Sequence, residues 1–231
     1  MTGSVTVVRL AYFMDPSMVY VHPLPVVGEN LTELARMEAN MKTDMNDGFW
    51  SNVRNNVNSS KLWKGQLCAF RHEEKNEDDT VYRVIIEKLS RKLGKAQIFF
   101  IDFGWRQICL CSSLIPLCSV YVHQYPGIMA TRVQMFDIQP KNGKWPDEAY
   151  ESMVKYAGQD LYMYVVDGEL NVSTVILFDK SDLICINDEI EENEWCVATM
   201  SKGADKIFDL ASEKVWEFME VVEKRADIQS G

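Results

Sequence analysis

The chain has 231 residues, with 34 acidic against 24 basic side chains, a net charge of −10 and an apolar content of 47%. At roughly 100–200 residues per domain this makes one large domain or two small ones, with enough apolar mass for a packed core and too much for a disordered chain. The acidic balance argues against a protein whose main work is coating nucleic acid or anionic membrane, and no run approaches the roughly 18 apolar residues of a membrane helix.

The segment from Met1 to Tyr12 carries no basic stretch ahead of its apolar run, so no secretory leader is read there and the expectation is a soluble, intracellular protein. Ser4–Phe13 and Met18–Val21 read as strands separated by the turn Asp15-Pro16-Ser17. Asn30 with Glu33 forms a capping-box pattern, and Leu34, Met37, Met41 and Met45 follow on one helical face. Beyond the polar stretch Asn52–Lys61 come four short strands: Gly65–Phe70, Thr80–Leu89, Ala96–Phe103 and Arg106–Cys111. The hairpin Ser90–Lys95, with Gly94, joins the second to the third, and His72–Asp79 is a charged loop. Strands this close together predict a small, strongly bent antiparallel barrel of SH3 size.

Gly127–Ile138 is a further strand candidate. Pro146 and Gly158 bracket a helix over Asp147–Ala157, and Leu161–Val166 with Val172–Leu177 forms a hairpin around Asp167-Gly168. A last helix, Ala204–Ala226, places Ile207, Ala211, Val215, Met219 and Val222 on one stripe. Leu210, Trp216, Phe218 and Val221 widen its apolar arc, which predicts docking on the domain and a contact surface for a partner or a second copy.

The six cysteines (68, 109, 111, 118, 185 and 196) contain no C-x-x-C pair. Cys109 and Cys111 share one face of a strand, which suits two small core residues better than zinc ligands. No metal and no cofactor is expected.

The informative stretch is "VYRVIIEKL" followed by "IFFIDFGWRQ" and "LIPL". It sets Tyr82, Phe100, Phe103 and Trp105 at neighbouring strand ends. Aromatic faces gathered at a barrel rim attract a cation at ~0.5–2 kcal/mol per ring, although aromatic runs on strands more often build core. These strings resemble the Tudor domain hallmark, Trp/Tyr-Tyr-Arg-Ala followed by Phe-Ile-Asp-Tyr-Gly-Asn. The flanking "VYVHPL…LTELARMEANM", "YPGIMATRVQMFDIQPKNGKWPDEAYESMV", "DGELNVSTVILFD" and "ICINDEIEENEWCVA" are similar, in order, to the extended Tudor fold.

That resemblance implies a mainly β fold with helices (α+β), in which an SH3-like Tudor barrel is inserted into an OB-type, staphylococcal-nuclease-like domain. Its parts are expected at 1–54 (first OB part with helix), 55–115 (Tudor barrel), 116–200 (second OB part) and 201–231 (helical extension). It also implies a non-enzymatic interaction module that binds peptides carrying methylated arginine, usually symmetric dimethylarginine in Arg-Gly or Arg-Ala motifs. Such modules scaffold Argonaute-type and other small-RNA silencing factors in cytoplasmic, perinuclear or germ granules. The corners of the family's cage fall on His72 (or Phe70), Tyr82, Phe100 and Phe103, and its guanidinium-binding Asn aligns with Trp105.

Two residues depart from that pattern. His72 stands where an aromatic is usual and repels a cation when protonated. Trp105 offers only a donor and cannot accept a guanidinium N–H, a loss on the order of 1.5–3 kcal/mol, roughly ten- to a hundred-fold in affinity. Weak or absent dimethylarginine binding is therefore expected. Arg83 and Asp102 read as a structural pair fixing strand ends.

An RNA-binding OB-type module is the alternative reading. Its support is the hairpin Lys88, Arg91, Lys92, Lys95, but charged hairpin tips are more often solvated edges, and net −10 weakens RNA binding. A nuclease would need carboxylates clustered with arginines, a pattern missing from Ser4–Phe13, Gly127–Ile138 and Leu161–Leu177, so no catalytic residue is assigned.

Overall fold

Residues 2–24, 33–46, 62–72, 80–125, 130–168, 172–199 and 203–230 are described by a computed structural model. Two compact units account for them: residues 1–29 with 130–231, and residues 30–129. The second interrupts the first in sequence.

The first unit contains a closed five-stranded barrel. Strands β1 (Val5–Asp15) and β2 (Met18–Pro23) come from before the interruption; β8 (Thr131–Met135), β10 (Asp160–Gly168) and β11 (Ser173–Asp179) come from after it. The order is β1-β10-β11-β8-β2, antiparallel except for β11 with β8. Because β1 pairs with β10 from Val5↔Tyr164 to Arg9↔Asp160, and β2 pairs with β8, the barrel closes only with strands on both sides of the interruption. This is the arrangement the OB-type reading required.

The barrel interior takes alternate residues of each strand, among them Val8, Leu10, Val19, Val21, Val133, Leu161, Met163, Val175 and Leu177. The other face of β10 and β11 is also covered. Tyr162, Tyr164, Ile176 and Phe178 pack with Ala204, Ala211 and Val215 of α5 (Ala204–Ser230). Burial on both faces explains why these strands read as near-continuous apolar runs. Asn187, fully buried on α4 (Ile186–Glu191), accepts from the Leu177 N–H at 3.0 Å and donates to the Phe136 carbonyl at 3.0 Å. A two-stranded ribbon of β9 (Ile138–Pro140) with β12 (Cys196–Ala198), and α3 (Asp147–Val154), complete the unit.

Helix α5 divides its surface as the stripe predicts. Ala211 and Val215 are buried against the strands, whereas Leu210, Trp216 and Val221 are exposed. Val215→Asp should thus cost about 3 kcal/mol or more by burying an unpaired charge, while Trp216→Glu should stay within about 0.5 kcal/mol. Urea unfolding of the two variants is the check, and equal losses would contradict this face assignment.

The second unit is a five-stranded antiparallel sheet in the order β6-β5-β4-β3-β7: Arg106–Leu110, Lys95–Phe100, Thr80–Ser90, Leu67–His72 and Leu114–Pro116. It wraps a core of Leu62, Cys68, Val84, Ile86, Ile98, Phe100, Cys109 and Cys111. The cysteines are core residues here: burial pushes the Cys68 thiol up to about 12 and the Cys109 thiol up to about 11. Helix α1 (Glu33–Asn46) buries Met37 and Met41 against Ala69, Val81, Ile115 and Tyr121, the last on α2 (Ser119–His123). The compact units divide at 29/30 and 129/130, so α1 and α2 go with these strands and lie outside the 55–115 span expected for the Tudor barrel.

Several expected boundaries differ, each for a local physical reason. The strand expected over Ala96–Phe103 ends at Phe100, because the Phe103 and Gly104 N–H groups turn back to the Phe100 carbonyl. Of Gly127–Ile138, residues 127–129 lie outside the described residues and the rest is split by a turn at Asp137, whose φ of 59° is held by hydrogen bonds from the Thr199 N–H and hydroxyl. Asp167-Gly168 is not the hairpin turn: both residues remain paired, with Thr174 and Ser173, past a bulge at Val165/Asp167. The Asp147–Ala157 helix stops at Val154 and continues as turns to Gly158, at φ +75°. The Asn30 cap, Met45's side chain and Asn52–Lys61 lie outside the described residues.

Candidate functional site

The aromatic residues singled out in the sequence converge at one corner of the second unit. Phe100 ends β5, and its carbonyl accepts from Phe103 at 3.1 Å and Gly104 at 2.8 Å. Gly104 sits at φ +96°, a left-handed conformation that side-chain-bearing residues rarely adopt. The chain then returns, with the Phe100 N–H donating to the Trp105 carbonyl at 3.0 Å. This tight reversal brings Phe103 and Trp105 over Tyr82 of β4.

The rings touch one another. Tyr82 meets Phe100 at 5.4 Å and Phe103 at 5.4 Å, both edge-on, and Trp105 at 6.3 Å. Trp105 lies on Phe100 at 4.4 Å between centroids, tilted by 41°. A planar cation sandwiched between two ring faces needs them about 7 Å apart, two van der Waals contacts of ~3.5 Å each. The Phe100–Trp105 pair is too close for that. Phe100 is fully buried and T-stacked on buried Phe70, so both are core residues; Tyr82, Phe103 and Trp105 are half-buried. His72 ends β3 opposite Thr80, and its side chain lies outside the described residues.

The indole N–H of Trp105 is buried and has no hydrogen-bond partner among the described residues. Four rings therefore come together as the sequence indicated, and the polar group that Trp105 adds to them is a donor, not an acceptor.

Behind the rings, Arg83 and Asp102 form a buried fork. Arg83 Nε donates to Asp102 Oδ2 at 2.9 Å and Nη2 to Oδ1 at 2.5 Å. Arg83 Nη1 also donates to the carbonyls of Tyr121, at 3.0 Å, and Tyr125. This ties β4, the Phe100–Gly104 turn and the α2 segment into one polar knot. The Tyr121 hydroxyl in turn donates to Asp44 of α1 at 2.6 Å. Burial first, and the charge of Asp102 second, push the Glu38 carboxyl on α1 up from its ordinary value. Sequence reasoning identified Arg83 and Asp102 but not the two carbonyls, which no side-chain motif announces.

The Tudor domain family model matches residues 2–137, from the first strands of the first unit through the whole second unit. No curated protein matches the chain in sequence. Among solved structures, the human TDRD1 extended Tudor domain is 18% identical with a TM-score of 0.67, over 86% of this chain and 92% of that one. The extended Tudor domain of Drosophila melanogaster Tudor-SN is 13% identical with a TM-score of 0.70, over 91% and 94%. That of Drosophila melanogaster Papi is 16% identical with a TM-score of 0.70, over 84% and 99%. The family match over more than half of the chain, the inserted five-stranded sheet and the divided OB-type barrel agree: this chain belongs to the Tudor domain family, in its extended form.

Proposed function

We propose that the chain is a non-enzymatic protein-interaction module whose Tudor unit takes an arginine-bearing peptide at Tyr82, Phe103 and Trp105, with little dependence on methylation. The observation that carries this reading is the half-buried ring cluster at the strand-end reversal, built on a rigid Arg83–Asp102 support. It is supported by the fold relatives, whose structures hold such peptides: human TDRD1 a symmetrically dimethylated peptide, mouse TDRD1 a MILI peptide containing dimethylarginine, and Drosophila Papi a Piwi N-terminal peptide. The reading extends to an arginine-rich segment of an Argonaute-type or other small-RNA silencing factor as partner, and to cytoplasmic, perinuclear or germ granules as the place of action.

Calorimetric titration with one Arg-Gly peptide in unmodified and symmetrically dimethylated forms tests the site. Binding of both forms with similar, weak affinity is expected, and Tyr82→Ala/Phe103→Ala should abolish it. Binding that survives the double substitution would place the peptide elsewhere. A fluorescent fusion reports the location, and a purely nuclear signal would count against it.

A further inference from the structure

Strand β6 is an open edge with a definite polarity. Among the described residues it pairs with β5 alone, from Phe99↔Arg106 to Lys95↔Leu110. Two hydrogen bonds bracket the ladder: the Phe100 N–H to the Trp105 carbonyl at 3.0 Å, and the Cys111 N–H to the Gly94 carbonyl at 2.8 Å. Bonded pairs recur at every second residue of an antiparallel ladder. Gln107 and Cys109 therefore turn their backbone groups toward β5, and Ile108 and Leu110 turn theirs outward. The outward residues are also those with exposed side chains: Ile108 is 68% exposed and Leu110 53%, whereas Cys109 is buried. An unpaired edge carrying exposed aliphatics is a template for one more strand.

The charge beside this edge reverses that of the chain. Lys88, Arg91, Lys92 and Lys95, on β4, β5 and the turn between them, are exposed and enter no ion pair among the described residues. Lys95 is the direct cross-strand neighbour of Leu110. In a protein of net charge −10 this is a local cationic margin. A nucleic acid would use the same cations together with stacking aromatic rings. The exposed apolar residues here, Leu93, Ile108 and Leu110, are aliphatic, and the outward ladder serves a peptide backbone.

We propose that β6 receives an extended, acidic segment of a partner protein as a sixth strand of the sheet. On the face it shares with Ile108, Leu110 and Lys95, the segment sets apolar side chains beside Ile108 and Leu110, and at its end nearest the Ser90–Lys95 turn its carboxylates meet Lys92 and Lys95. This surface is independent of the arginine-peptide reading at Tyr82 and Phe103.

The test uses the full chain and a fluorescein-labelled peptide of about ten residues, valine alternating with threonine between a pair of glutamates at each end, read by fluorescence anisotropy. Saturable binding is expected. It should weaken about ten-fold or more with Ile108→Lys, with Lys92→Glu/Lys95→Glu, and with the same peptide N-methylated along its backbone. All three substituted positions are exposed, so circular dichroism should show the fold retained; Phe103→Ala should leave this binding unchanged. Equal binding of the N-methylated peptide, or tighter binding of an oligouridylate of the same charge, would overturn strand addition. An absence of binding would overturn it too, and would show that the cations serve only to guard the edge.

Discussion

Trp105→Asn should raise the affinity for a symmetrically dimethylated Arg-Gly peptide about ten- to a hundred-fold, measured by calorimetry against the wild type. Two effects act in the same direction. An asparagine carbonyl accepts a guanidinium N–H that the indole cannot, and a hydrogen bond to a charged group is worth about 1.5–3 kcal/mol. Removing the indole also uncovers the face of Phe100, now capped at 4.4 Å. The opposing effect is lost packing against the Tudor core, which lowers stability by roughly 2–4 kcal/mol but leaves the ring positions of Tyr82 and Phe103 supported from behind. Trp105→Phe separates the two causes. It keeps a ring on Phe100 and deletes the unpaired indole N–H, so it should bring no gain in affinity. A Trp105→Asn protein that stays folded and binds no better would show that the indole does not limit arginine recognition.

Arg83→Met should destabilise the protein by about 3–5 kcal/mol in urea unfolding. The guanidinium and its partner carboxylate are 2% and 1% exposed, so removing the cation strands Asp102 as a buried, unpaired charge. It also strips a donor from the Tyr121 and Tyr125 carbonyls, which are bound by the same Nη1. Arg83→Lys should recover only part of the loss, because an ammonium cannot fork across two carboxylate oxygens while reaching both carbonyls. The double variant Arg83→Met/Asp102→Leu should be less damaging than the two single losses added together, since the charges disappear as a pair. Strict additivity would mean that the fork contributes no coupling. Because Asp102 lies between Phe100 and Phe103, loosening the fork should weaken peptide binding along with stability.

Much of the architecture was legible along the chain because it rests on local rules. The apolar runs of β1 and β2 divided by Asp15-Pro16-Ser17, the Gly94 hairpin, the Pro146 helix start and the α5 stripe each follow from local sequence alone. The order of these elements, together with the "VYRVIIEKL" and "IFFIDFGWRQ" strings, sufficed to indicate the family and four of the clustered residues. Element ends were less legible where a distant group sets them. Asp137 holds a left-handed turn because Thr199, 62 positions away, bonds to it, and no window around Asp137 contains that information.

The state of the candidate site was likewise a tertiary decision. Sequence determined that Trp105 offers a donor and no acceptor, a matter of side-chain chemistry. Only the fold decided that the indole lies directly on Phe100, that Phe100 belongs to the core, and that the indole N–H meets no acceptor among the described residues. Those facts depend on how the reversal at Gly104 aims the next side chain. The same holds for β6: its composition suggested an ordinary strand, and its open, outward-facing ladder exists because the sheet ends there. Residue identity determines which bonds a group can make; the packing of segments distant in sequence decides which of those bonds are available.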